Sequence, residues 1–201
     1  MKTRLVVSSL AALVLAFNTQ PASADDAHPP LVTALAAAHP HASQGEQAKV
    51  YDRLLGTWNV EYTDFAKDGK VTHRAGQFIV GWIMDGRAIQ ALWIVDPAGD
   101  RKEREVYTAL WYFDPKTQSW PAAFVDPEHA SVARFLGGAV GEDRIVLNSM
   151  DFPGLVTRWS FNDIRSDALV FRAEASTDGG TTWRLQSEDH MRRQRAAAGA
   201  R

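Results

Sequence analysis

From residue 56 onward the chain alternates apolar and polar positions with a period of two. In 58–65, Trp58, Val60 and Tyr62 fall on one face while Asn59, Glu61 and Thr63 fall on the other. Successive strand side chains point to opposite sides, so such a segment buries one face and wets the other. The pattern returns late in the chain, where Trp159 and Phe161, Leu169 and Phe171, and Trp183 and Leu185 oppose Arg158, Arg172, Glu174, Arg184 and Gln186. The aromatic set is the predicted interior. Segments 78–84 and 88–95 are apolar on both faces, which calls for an outer cover, either the N-terminal helix or the contact face of a homodimer.

Turn chemistry divides this region at short intervals: Asp68-Gly69, Asp85-Gly86, Asp96-Pro97, Asp114-Pro115, Asp126-Pro127, Gly141-Glu142-Asp143, Phe152-Pro153-Gly154 and Asp178-Gly179-Gly180. About ten strands lie between the turns, with no helical pattern among them, which predicts an all-β fold: an antiparallel up-and-down β-barrel of about ten strands. Closure would leave no exposed sheet edge, although a sandwich would use similar strands. Upstream, Ser43 and Glu46 form an S-x-x-E capping box, Ala48, Tyr51 and Leu54 give a helical stripe, and Gly56 ends it, predicting a short helix over 43–55. Residues 25–42, with Pro29, Pro30, Pro40 and an alanine run, read as a flexible leader or a short helix. The domain is expected to span 43–193, followed by a disordered tail over 194–201.

The beginning of the chain changes the compartment. Lys2 and Arg4 precede an apolar stretch over 5–17, and Ala22-Ser23-Ala24 is a small-x-small cleavage site, so 1–24 reads as a signal peptide and the mature protein as periplasmic or secreted. The apolar stretch is too short to span a bilayer and no later one approaches that length without charges, so no transmembrane segment is expected in the mature chain. There is no cysteine, and stability in an oxidising compartment must come from packing alone. The formal net charge is −2, with the basic residues scattered except at Arg192, Arg193, Arg195 and Arg201, which gives nucleic-acid binding little electrostatic support.

Gly56-Thr57-Trp58, at the start of the first strand behind a short helix, resembles the G-x-W motif of lipocalins and the wider calycin group. The resemblance implies that Trp58 seals the closed end of a barrel, Gly56 turns the chain into it, and an Arg of the last strand covers the Trp. Arg184, Arg192 and Arg193 are the candidates, and Arg184 is expected to have a structural role. The stretches LLGTWNVEY, WIMDGRAIQALWI, WYFDPKTQSW and STDGGTTWRLQ also resemble a widespread bacterial family of lipocalin-like domains whose function is not established. That likeness implies the barrel and brings no catalytic residue with it. The LLGTW opening is shared with haem-binding nitrobindin relatives, which carry an iron ligand near the C-terminus where His190 stands here; the alternation places His190 outside unless a bulge intervenes, and their glycine-lysine-proline pattern is missing from 81–90.

A second motif over 176–183, STDGGTTW, is similar to the Asp box of sialidase propellers. Repeated blades are lacking, so Asp178, Gly180 and Trp183 read as a structural hairpin in which Asp178 accepts backbone amides and the Trp packs under the turn. His39 and His41 could chelate but lie in the leader, and His73, His129 and His190 have no close ligand partners in sequence, so no metal or cofactor is implied. No G-x-S-x-G, H-E-x-x-H or phosphate-binding loop occurs. Asp85, Arg87, Arg158, Glu174 and Glu188 could gather near a barrel mouth or form weak cross-strand pairs.

The positive expectation is a cavity for a small hydrophobic or aromatic molecule, walled by Tyr62, Trp93, Tyr107, Trp111, Trp159 and Phe171 with Gln90 as a polar contact. The same tryptophans could instead fill a solid core. An enzyme using the cavity is the alternative function; it predicts buried ionisable groups with shifted pKa values converging on the ligand.

Overall fold

The structure, a computed structural model, describes residues 30–151 and 154–195. The predicted signal peptide, the first residues of the leader, Phe152-Pro153 and the tail beyond 195 lie outside the described residues. Ten strands form the body: β2 (Gly56–Phe65), β3 (Val71–Ile83), β4 (Ala88–Val95), β5 (Glu105–Tyr112), β6 (Trp120–Asp126), β7 (Ser131–Ala139), β8 (Ile145–Ser149), β9 (Val156–Asn162), β10 (Ala168–Ser176) and β11 (Arg184–Arg193). Each pairs antiparallel with its sequence neighbour, and β11 pairs with β2, so the sheet closes into a barrel without a free edge. The barrel is thus the closed form rather than a sandwich.

The N-terminal region departs from the expected single helix. A 3-10 helix (Ala42–Ala48) and a short α-helix (Lys49–Asp52) replace it, with a kink at Gly45. The capping box does not form: the Ser43 hydroxyl sits 2.8 Å from His41 Nδ1, and Glu46 pairs with Lys49. Part of the leader is helical. After a helix over Pro30–Leu35, a two-residue strand β1 (Ala36–Ala37) pairs with Trp82 and Ile83 of β3, and His41 N–H donates to the Gly86 carbonyl at 2.9 Å. This segment extends the sheet beside the end of β3, at Trp82 and Ile83, as a strand and not as a helix laid over the outer face. The outer row Ile79, Leu92, Thr108, Val125 and Val132 is not covered by it.

The inner face follows the alternation in most strands: Trp58, Val60, Tyr62, Phe78, Trp93, Trp111, Trp159, Phe161, Leu169 and Phe171 are buried. Late in the chain a bulge changes it. Ala173 pairs with Ser187 but Glu174 with Leu185, leaving Gln186 as an extra residue. Paired residues share a face, so Leu185 lies on the outer side with Glu174, and Trp183 packs outside under the Arg158 guanidinium, 3.9 Å from its ring centroid. The expectation that both point inward is therefore reversed. Beyond the bulge, Ser187, Asp189 and Met191 face inward and His190 outward.

Candidate functional site

The two ends of the barrel differ. At the closed end Trp58 is fully buried, its Nε1–H donating to the Leu54 carbonyl at 2.8 Å, and the guanidinium of Arg193 covers the ring at 4.0 Å. Gly56 has φ +109°, a conformation open to glycine, and a Cβ there would approach Arg193 Nη1 to 2.9 Å. Arg193, not Arg184, is thus the covering arginine; Arg184 sits at the opposite end of its strand and donates to the Phe65 carbonyl at 3.0 Å. Tyr51, Trp111 and Trp120 pack beneath, with Tyr51 and Trp120 rings 4.2 Å apart. This half of the barrel is filled by large, fully buried side chains.

The open half is built by rows of inward-facing residues. One row runs Arg74, Tyr62, Asp189, Phe171 and Phe161 across β3, β2, β11, β10 and β9. The next row toward the mouth runs Asp64, Ser187, Ala173 and Trp159. From the far wall β4 and β5 bring Val95 opposite Glu105 and Trp93 opposite Tyr107, and β6 adds Phe124. A cavity of about 140 Å³ lies among these side chains, close to the size of an apolar cavity that holds one benzene ring. Its floor is aromatic: Phe124 meets Trp159 edge-on at 4.8 Å, and Trp93 and Phe171 each lie 5.8 Å from Trp159. A pocket and a filled core therefore coexist, one above the other.

Its rim is ionic. Arg74 donates from Nη1 to Glu105 at 2.8 Å and from Nη2 to Asp64 at 2.9 Å. Glu105, 3% exposed, also takes Arg101 and the Tyr107 hydroxyl. Asp189 is 2% exposed and accepts the Ser187 hydroxyl at 2.6 Å. Burial, reinforced by nearby Asp64 and opposed by the Ser187 hydrogen bond and Arg74, pushes its carboxyl up to about 7. Burial and then the Asp189 charge push the Tyr62 phenol well above its ordinary value, and its hydroxyl donates to the Gln77 carbonyl at 3.0 Å.

Of the predicted wall residues, Tyr62, Trp93, Tyr107, Trp159 and Phe171 line this cavity. Trp111 does not, being part of the closed-end core, and Gln90 faces outward, where its amide donates to Thr108 Oγ1 at 3.0 Å. The sequence reading missed Arg74, Glu105, Asp64, Asp189 and Phe124. Asp189 did carry a signal, since it shares the parity of the buried Met191 on the same strand. Arg74 carried none, because β3 begins at Val71, well before the apolar segment 78–84 that marks it in the sequence.

The other charged candidates pair away from the cavity: Arg158 with Glu174 at 2.8 Å and Arg172 with Glu188 at 2.7 Å on the outer face, and Arg87 with Asp85 at 3.3 Å in the turn between β3 and β4. His190 Nε2 lies 3.1 Å from Glu188, outside the barrel. At the 176–183 turn, Asp178 accepts the Thr181 and Thr182 amides at 3.0 and 2.9 Å and the Thr182 hydroxyl at 2.6 Å, while Trp183 Nε1–H donates to the Gly180 carbonyl at 3.0 Å. Gly180, at φ +92°, completes the hairpin. A larger depression, of about 770 Å³, crosses the outer faces of β2, β10 and β11 around Glu61, His190 and Arg192. It is the less persuasive site, because the buried ionisable groups converge on the smaller cavity instead.

A ten-stranded barrel plugged at one end and open over an aromatic floor at the other is a calycin-like, lipocalin-like fold. Two solved structures share it. Rv2717c from M. tuberculosis is 12% identical, with a TM-score of 0.55 over 75% of this chain and 99% of its own. The S-type phycobiliprotein lyase CPES from Guillardia theta is 10% identical, with a TM-score of 0.50 over 74% of this chain and 92% of its own. No protein-family profile matches the sequence, and no curated protein matches it. Among the described residues, no helix is long and apolar enough to cross a membrane.

Proposed function

We propose that this protein is an exported, periplasmic or secreted, lipocalin-like binding protein that holds a small hydrophobic or aromatic molecule in the mouth cavity. The observation that carries the reading is the cavity over Trp93, Phe124, Trp159 and Phe171. An apolar ring placed there would leave water on one side and meet aromatic carbon on the other, and burial would provide the affinity. The phycobiliprotein lyase supports this reading in one respect, since its name links a barrel of this shape to a pigment-bearing protein. Membership in the bacterial lipocalin-like family rests on the sequence resemblance, and export on the features of residues 1–24.

The test is native mass spectrometry of the mature protein purified from its own host, with tryptophan fluorescence titrated by small neutral aromatic compounds. A co-purified apolar mass, or saturable quenching, supports the proposal. A ligand-free protein whose fluorescence answers to no such compound refutes it.

A second reading is favoured by one observation. Asp189 is a buried carboxyl held near neutrality at the edge of the cavity, the kind of group that exchanges protons with a bound molecule. In an enzyme it would be the acid or base. The haem reading draws no support from His190, which lies on the outer face.

A further inference from the structure

We propose that the mouth cavity selects a small organic cation, with an ammonium head held by Asp189 against the faces of the aromatic floor. The inference rests on the cavity being a ligand site and adds the charge of the ligand.

Three observations converge. The first is an uncompensated charge. Both terminal nitrogens of Arg74 are taken by Asp64 and Glu105, and Arg101 on the rim is shared between Glu105 and Glu128. Asp189 has no cationic partner within ion-pair distance among the described residues; its partners are the Ser187 hydroxyl on its own strand and the Thr63 backbone on the neighbouring one. A second anion entering the cavity would meet three carboxylates; a cation would complete the one that lacks a partner.

The second is the wall. The rings of Trp93, Phe124 and Phe171 meet Trp159 at 57°, 87° and 71°. Several aromatic rings set at such angles around one cavity supply the π-systems whose faces attract a quaternary or primary ammonium. The third is size. A volume of about 140 Å³ admits a trimethylammonium-sized head and little more.

A consequence for pH follows from the groups that face Asp189. Tyr62 and Asp64 approach from β2, Arg74 from β3, and Glu105 and Tyr107 from β5, while β10 offers the uncharged Phe171 and Ala173. Asp64 disfavours the charged carboxylate and Arg74 favours it. A bound ammonium would act with Arg74, so binding releases the carboxyl proton, and affinity for the cation rises as pH passes through about 7.

The experiment compares choline with dimethylbutanol, its uncharged carbon isostere, by calorimetry and tryptophan fluorescence on the mature protein. The expected result is at least about tenfold tighter choline binding at about pH 8, the difference that one modest ionic contact makes. That preference should collapse at about pH 5 and in Asp189→Asn. Equal affinities for the two compounds at the higher pH, or a preference that survives Asp189→Asn, would overturn the inference and leave the apolar pocket standing. Binding of neither compound overturns the cation inference, while the titration with neutral aromatic compounds decides the pocket separately. Should Asp189→Asn fail to fold, the wild-type comparison at the two pH values decides alone.

Discussion

Arg193 lies across Trp58, its guanidinium carbon 4.0 Å from the indole centroid, and reaches past the ring to the carbonyls of Arg53, Leu55 and Ser166. The last barrel strand is thereby tied to the segment that precedes the first. Trp58→Ala removes a fully buried indole and should cost about 3–5 kcal/mol of stability. Arg193→Ala should cost less, about 1–2 kcal/mol, because the ring stays buried and only the cation–π contact and the carbonyl partners are lost. Urea unfolding of the two variants measures both; equal losses would mean that the arginine rather than the indole holds the plug.

Asp189 sets a pH dependence of opposite sign to that of an ordinary paired carboxylate. Its folded value of about 7 stands above the unfolded value near 4. The folded state therefore holds the extra proton between those values, and stability falls as pH rises from about 4 to about 7, then levels. Over the full window the change is at most about 4 kcal/mol. Thermal unfolding of wild type and Asp189→Asn from acid to neutral pH should show the two melting curves separating with rising pH, the variant becoming the more stable. Parallel curves would place the Asp189 carboxyl in an ordinary environment.

Removal of Arg74 leaves Glu105 buried with a charge that only the half-exposed Arg101 can answer. Arg74→Ala should cost about 2–4 kcal/mol, less than a fully buried pair because the guanidinium is partly solvated. Adding Glu105→Gln should recover part of the loss. Failure of the double variant to recover any of it would show that Arg74 acts by packing alone.

Gln90 and Trp159 separate the two faces of the sheet. Gln90→Ala, on the outside, should leave ligand affinity within about twofold of wild type. Trp159→Phe keeps an aromatic core residue yet changes the cavity floor, and should weaken binding by about tenfold. Titration of both variants with the same ligand is the check, and a loss of affinity in Gln90→Ala would move the site to the outer face.

Asp178 ties a surface hairpin. Asp178→Ala should speed amide exchange at Thr181 and Thr182, whose N–H groups it accepts, without changing ligand affinity. Hydrogen exchange resolved by residue measures this directly.

The barrel was legible because alternation and turn residues act locally: Trp58, Val60 and Tyr62 announce their inner face without reference to any other strand. Gly56 and Trp58 announced the plug for the same reason. Its covering arginine was ambiguous among Arg184, Arg192 and Arg193, since the choice depends on how far β11 extends along β2. The Gln186 bulge was invisible, because a single extra residue alters no composition and yet moves Trp183 and Leu185 to the opposite face. The ionic rim was hidden for a third reason. Arg74, Asp64, Glu105 and Asp189 come from four strands, and only the closed register turns four separate charges into one cluster.

The seam between β2 and β11 joins the two ends of the folded chain, Trp58 lying opposite Arg193. As the polypeptide emerges during synthesis, its first barrel strand has no partner on that side until the final strand follows. The aromatic interior therefore stays accessible for most of the time the chain is being made, and assembly is governed by its most distant pairing. Such long-range closure makes folding slow compared with that of helical proteins of similar length.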